Sequence, residues 1–197
     1  MGGLPASETN YSINSFKQML DAYKNINHDN LRENLIDFLR EIIPVAEENN
    51  VKMAIHPDDP PLPDFWGNKQ IITGIEAMKR VTEIAPSSSN GICFCTGSLG
   101  PTGEDLVAGI RTLKEHIHFV HLRNTTGDAS SFRETWHDNG DLDLPSIVRA
   151  LKEIGYEGTI RPDHVPSMLG DSNESPGYEM RGRLYAAGYI RGLLQSS

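Results

Sequence analysis

Ile117–His121 reads IHFVH, a short β-prone run that ends on an imidazole. Three other stretches share that form: Val51–His56 (VKMAIH), Gly91–Cys95 (GICFC) and Gly158–Asp163 (GTIRPD). Each has the shape of a strand end and finishes on a side chain that binds metal. A long polar or helical stretch separates each from the next. Strands alternating with helical patterns imply a parallel sheet with right-handed crossovers. Such a fold gathers its strand ends on one rim, so His56, Cys95, His121 and Asp163 are expected to converge. That mixed N, S and O set suits a borderline divalent ion such as Mn²⁺, Fe²⁺ or Zn²⁺.

Strand alternation sharpens the assignment, because side chains two apart share a face. His56 goes with Ala54, His121 with Phe119 and Asp163 with Arg161, while Met53, Ile55, Val120, Leu122 and Ile160 point the other way. Cys93 shares the face of Cys95 but lies ~6.5 Å down the strand, too deep for the same ion. It reads as filling.

Helices are expected at Ser12–Tyr23, after a loop-like first ten residues, and then from Asn27 or Asp29 onward. There Leu31, Leu35, Phe38, Leu39, Ile42, Ile43 and Ala46 form one apolar stripe and Pro44 falls near the end. Further helices are expected at Asn68–Ile84, Gly103–His116, Asp143–Ile154 and Pro176–Leu194. Asp143 is a candidate N-cap and Gly155 a candidate stop. Helix, helix, then four βα units describe half of an eight-stranded TIM-type barrel, here one partial, metal-binding unit over residues 1–197. An open doubly wound sheet is the alternative, but it concentrates its ligand site at one switch point, whereas here every strand carries a candidate ligand.

Composition narrows the function classes. With 18 Lys and Arg against 27 Asp and Glu, the net charge is −9. That balance argues against nucleic-acid or anionic-membrane partners. No apolar run approaches the ~20 residues of a membrane span, and the start MGGLPASETN lacks signal-peptide character. A cytoplasmic location is the default expectation. The two cysteines, Cys93 and Cys95, are too close for an unstrained bridge and suit a reducing compartment.

Polar strings follow the strand ends. HPDDPPLPDFWG (His56–Gly67) offers Asp58 and Asp59 either as acceptors that orient a ligand imidazole or as turn formers. CTGSLGPTGED (Cys95–Asp105) offers Thr96, Ser98 and backbone N–H groups to an anionic or hydroxyl-rich ligand. HLRNTTGD (His121–Asp128) carries Arg123 and Asn124, and RPDH sets His164 beside a candidate ligand. Taken singly, a histidine at a strand end is more often a hydrogen-bonded surface group, and a buried cysteine is usually packing. Four at successive strand ends are harder to explain that way.

MAIHPDDPP, FCTGSLG, HFVHLRN, WHDNGDLD, IRPDH and PGYEMRGRLYAAGYIRGL together resemble the D-mannonate dehydratase family of hexuronate catabolism, along essentially the whole chain. The resemblance implies a xylose-isomerase-like TIM barrel with one Mn²⁺ or Fe²⁺. It implies loss of water from D-mannonate to give 2-keto-3-deoxy-D-gluconate. By motif, His56, Cys95, His121 and Asp163 match the metal ligands, and His164 and Tyr178 match residues of the acid–base chemistry. Arg123 and His137 are candidates to hold the substrate's carboxylate or hydroxyls. The chemistry agrees: removing a proton from C2 and hydroxide from C3 needs a Lewis acid, a base and an acid.

Full members resemble complete barrels roughly twice this length, and MGGLP looks like the middle of one. A fragment is the favoured reading, with a homo-oligomer or a complementary half-barrel as a possible partner beside the small sugar acid. Two rivals remain: an inactive metal-binding fragment, or a sugar isomerase-like or endonuclease barrel. Those barrels rely on carboxylates, so a Cys ligand speaks against them.

Overall fold

The computed structural model describes residues 12–172, 174 and 176–196; the loop expected over the first ten residues lies outside them. Helix α1 (Ile13–Tyr23) starts at Ser12, whose hydroxyl accepts from the Ser15 N–H. Helix α2 (His28–Glu48) begins with a reciprocal capping box in which the Asn27 and Asn30 side chains each accept from the other's backbone N–H. Pro44 lies inside it. Its apolar stripe is narrower than the periodicity suggests: Leu39, Ile43 and Ala46 are buried, while Phe38 is 54% exposed.

A small hairpin follows, β1 (Asp64–Phe65) against β2 (Asn68–Lys69). Its two turn residues, Trp66 and Gly67, both have positive φ (53° and 82°), the backbone of a primed two-residue turn. The helix expected from Asn68 therefore starts later, as α3 (Ile75–Ile84). No side chain of its own caps it. The Glu104 carboxylate accepts from the Ile75 N–H at 3.1 Å instead, a cap no local pattern announces.

The sheet is built from β3 (Ile92–Cys95), β4 (Ile117–Leu122) and β7 (Thr159–Pro162), parallel and in the order β3-β4-β7. The expected strand at Val51–His56 is reduced to a bridge between Ile55 and Ile92. The segment still bonds alongside β3 through Met53 N–H to Ser89 O, Ile55 N–H to Gly91 O and Cys93 N–H to Ile55 O, at 2.8–3.0 Å. It lies at an edge of the described sheet, with a partner on one side only.

Between β3 and β4 run the short α4 (Thr96–Leu99), a 3₁₀ turn, and α5 (Leu106–Leu113), capped by Asp105. The helix expected from Gly103 thus begins after Asp105. Beyond β4 an unforeseen hairpin, β5 (Thr125–Asp128) against β6 (Ser131–Glu134), folds back. Helix α6 (Leu144–Glu153) follows the expected bounds closely. Asp143 accepts from the Ser146 N–H at 3.1 Å, and Gly155 closes the helix at φ 71°, a left-handed position that suits glycine. Helix α7 (Met180–Ser196) packs against β7 and α6.

The predicted division of the sheet faces holds. Ile92, Phe94, Val120 and Leu122 enter the core, with Met53, Ile55 and Ile160 partly buried against it. The alternate positions are left to the rim and the inner face. The sheet does not close into a barrel among the described residues. Because Phe94 is completely buried, Phe94→Ala should lower stability by about 3–5 kcal/mol, read as a reduced urea midpoint with little change in the slope.

Candidate metal centre and the histidine–tyrosine pair beside it

Register brings the rim groups together. Cys95 ends β3 and is the direct partner of His121 on β4, which in turn faces Arg161 on β7. His56 follows Ile55, the residue bridged to β3. One candidate ligand atom from each of His56, Cys95 and His121 lies within 4.8 Å of the others. The imidazoles of His56 and His121 are 5.1 Å apart between centroids.

Their hydrogen bonds leave donor atoms free for an ion. The Nδ1 of His56 is 2.7 Å from the Pro57 carbonyl; a carbonyl only accepts, so Nδ1 carries the proton and Nε2 keeps its lone pair. Cys95 is fully buried, and its Sγ accepts from Ser98 Oγ at 3.2 Å. The Nε2 of His121 lies 3.4 Å from Arg161 Nη1, a long contact that an ion would displace, and its buried Nδ1 has no hydrogen-bond partner. Two imidazoles and a thiol fit a borderline divalent ion.

Asp163 stands beside this group. Its Oδ2 lies 3.8 Å from His121 Nδ1 and 3.6 Å from Arg123 Nη1. Burial pushes its pKa up, but His164, His121, Arg123 and Arg161 outweigh burial and hold it below the ordinary value. Burial, with the neighbouring Cys95, pushes the Cys93 thiol up to about 12. It stays protonated at neutral pH, as packing requires.

Arg123 is the hub of the adjoining network and is only 1% exposed. Its Nη1 donates to Asp59 Oδ2 at 2.7 Å and lies 2.9 Å from His164 Nδ1, while Nε faces Glu134 Oε2 at 3.4 Å. Burial disfavours its charge, but Cys95, Glu134 and Asp59 more than offset this and raise its pKa. A Cβ on Gly97 would sit 1.9 Å from Arg123 Nε, so glycine is required there for the guanidinium to pass.

His164 has Nδ1 at 3.0 Å from Glu134 Oε1 and Nε2 at 2.8 Å from the Tyr178 hydroxyl. The guanidinium of Arg183 lies 4.9 Å from the Tyr178 ring centroid. The expected histidine and tyrosine, 14 positions apart, therefore meet. Glu134 escaped the sequence reading because nothing local marks a carboxylate on a hairpin strand as the neighbour of a histidine 30 positions later.

Several polar groups serve the scaffold instead. Thr96 and Ser98 are buried and bond to Arg123 and Cys95, so they do not present themselves to an anion. Asp58 accepts from the Ile71 and Ile72 N–H groups and Asp59 pairs with Arg123, so they brace the loop and the guanidinium rather than His56. The Asn124 amide donates to the His137 and Leu142 carbonyls, tying the 135–142 loop to the end of β4.

His137 is 0% exposed and its Nε2 donates to the Leu122 carbonyl at 2.7 Å. Burial holds its pKa below the ordinary value, against the opposing pull of that carbonyl and of Asp163, Glu134 and Asp138. A histidine kept neutral in the fold stabilises it fully above the ordinary imidazole pKa of about 6.5; that stability drains as pH falls through the depressed value. His137→Asn should flatten the acid side of the urea-midpoint profile below about pH 6.5; an unchanged acid slope would show that His137 is not held neutral.

The model of the family described as D-mannonate dehydratase (UxuA) matches residues 1–197. The chain belongs to the D-mannonate dehydratase family. A mannonate dehydratase of Streptococcus agalactiae (serotype Ia) is 41% identical over 199 residues, covering 98% of this chain and 57% of that protein. The crystal structure of mannonate dehydratase from Streptococcus suis serotype 2 superposes with a TM-score of 0.86 at 38% identity, covering 91% of this chain and 53% of that one. This member thus spans about half the length of the curated relatives it matches. A xylose isomerase domain protein from Alicyclobacillus acidocaldarius aligns over 98% of the chain and 76% of its own length, with a TM-score of 0.65 at 14% identity. That likeness speaks for the fold alone. The D-mannonate dehydratase family member therefore has the xylose-isomerase-like TIM-barrel architecture, in part. No helix among the described residues is long and apolar enough to cross a membrane.

Proposed function

We propose that this chain carries the metal-binding and proton-transferring part of a D-mannonate dehydratase, a hydro-lyase that converts D-mannonate into 2-keto-3-deoxy-D-gluconate. The observation that carries the reading is the meeting of two groups in a member of that family: the His56–Cys95–His121 cluster and the His164–Tyr178 pair at 2.8 Å.

His56, Cys95 and His121 would hold one Mn²⁺ or Fe²⁺, with Asp163 as the fourth ligand. When bound, the ion supplies a Lewis acid that polarises substrate oxygens. The chain's own groups handle the protons. The C2 proton passes to one member of the His164–Tyr178 pair, and the other protonates the C3 hydroxyl as it leaves; the enol so formed takes a proton at C3 to become the 2-keto acid. Arg123 and His137 are too deeply buried for direct contact in the structure described. We assign them an indirect part in substrate binding: Arg123 sets the wall made by Asp163 and His164, and His137 fixes the end of β4.

A small sugar acid is the partner in this reading, and the net charge of −9 argues against nucleic acid. Hexuronate catabolism in the cytoplasm is part of the proposal, supported by two free cysteines suited to a reducing compartment.

The test is the chain loaded with Mn²⁺ and, anaerobically, with Fe²⁺, assayed with D-mannonate for 2-keto acid. His164→Gln and Tyr178→Phe should each lower kcat by roughly 10²–10⁴-fold with the metal retained, and His56→Ala should lose metal and turnover together. Turnover indifferent to all three changes would overturn the reading.

A further inference from the structure

Glu134 closes a line of three groups. Its Oε1 is 3.0 Å from His164 Nδ1, and His164 Nε2 is 2.8 Å from the Tyr178 hydroxyl. Arg123 Nη1 approaches the same Nδ1 at 2.9 Å. An arginine only donates and a carboxylate only accepts, so the two contacts demand opposite tautomers. With Glu134 as partner, Nδ1 carries the proton and Nε2 turns a lone pair to Tyr178. With Arg123 as partner, the proton moves to Nε2.

What each neighbour has in reserve decides between them. Arg123 Nη1 already has Asp59 Oδ2 at 2.7 Å. Glu134 has only a longer ion pair in reserve, its Oε2 lying 3.4 Å from Arg123 Nε. Oε2 is buried without a hydrogen-bond partner, and Oε1 has His164. Taking the proton off Nδ1 would leave a partly buried carboxylate with no hydrogen bond at all, the costlier of the two losses.

We propose that Glu134 is a positioning residue: it holds His164 with its proton on Nδ1, so that Nε2 is the atom that exchanges a proton with Tyr178 and the substrate. The kinetic consequence rests on the dehydratase reading; the tautomer does not. A second feature makes the role testable. Glu134 and His164 line a cavity of about 390 Å³ together with Asp59, Phe65, Trp66 and Phe132, so a small carboxylate can reach the space that Glu134→Ala would vacate.

The experiment is ¹⁵N-histidine NMR on the chain loaded with diamagnetic Zn²⁺ at about pH 8, where an ordinary imidazole is neutral. The His164 signals are assigned by their loss in His164→Gln. The expected wild type has Nδ1 protonated and Nε2 bare. In Glu134→Ala the proton should move to Nε2 as Arg123 takes over Nδ1, and added acetate should reverse the change. With D-mannonate as substrate, Glu134→Ala should lower kcat roughly 10–100-fold at nearly unchanged KM. Acetate should restore part of it, and Glu134→Gln, whose amide oxygen still accepts, should retain more activity than the alanine variant. A wild-type His164 protonated on Nε2, or a tautomer that Glu134→Ala leaves alone, would overturn the proposal. A Glu134-dependent tautomer in a chain that never dehydrates D-mannonate would uphold the positioning role and sink the dehydratase reading instead.

Discussion

Arg123→Met is expected to destabilise the chain by about 3–5 kcal/mol, the cost of leaving buried charge without its partner. The guanidinium is 1% exposed and stands among Asp59, Glu134 and Asp163 at 2.7, 3.4 and 3.6 Å. Methionine fills much of the volume but removes the one cation these carboxylates share. The loss is a large part of the roughly 5–15 kcal/mol that holds a typical domain. Urea unfolding reads it directly. A midpoint close to wild type would mean that the carboxylates are solvated or protonated once the guanidinium is gone, and that the network stores little. Lysine should rescue only in part, because an ammonium directs its three N–H groups from one point, whereas the guanidinium spreads five across a plane that reaches all three carboxylates.

Cys95→Ala should cost more in metal affinity than any other single change at the rim. Loss of an outer hydrogen-bond partner typically costs 10–100-fold. Cys95 offers the cluster its one sulfur and is fully buried beside two imidazoles, so a loss on the order of 10³-fold is expected, beyond that outer-partner range. Calorimetric titration with Mn²⁺ and Zn²⁺ measures it, and the soft donor predicts that Zn²⁺ suffers more than Mn²⁺. Cys93→Ala is the control. Its thiol is held protonated, and its removal should change stability while leaving affinity nearly intact.

The parts legible in the sequence were those whose cause is local. Alternation along VKMAIH and IHFVH separated Ile55 and Val120 from His56 and His121, and the core follows that separation. Asp143 and Gly155 bracketed α6 because a cap and a left-handed stop are both local devices. What stayed hidden depends on distant partners. The start of α3 is set by Glu104, 29 positions away. The β1–β2 turn uses Trp66 where asparagine or glycine would have announced it. Thr96 and Ser98 looked available in a string of polar residues, yet the structure spends both on neighbours. Glu134 sits on a hairpin strand that no pattern foretold, and only the folded chain sets it against His164. The segment before His56 had the composition of a strand but lies at a sheet edge, where pairing on one side leaves a single bridge.

The most direct test of the central claim is an optical titration with Co²⁺ under reducing conditions. A thiolate bound to Co²⁺ gives a near-ultraviolet charge-transfer band that imidazole and carboxylate ligands do not. The structure predicts that the band grows to saturation at one equivalent, survives Cys93→Ala and disappears in Cys95→Ala. No band in the wild type, or a band that follows Cys93 instead of Cys95, would contradict a metal centre built on His56, Cys95 and His121.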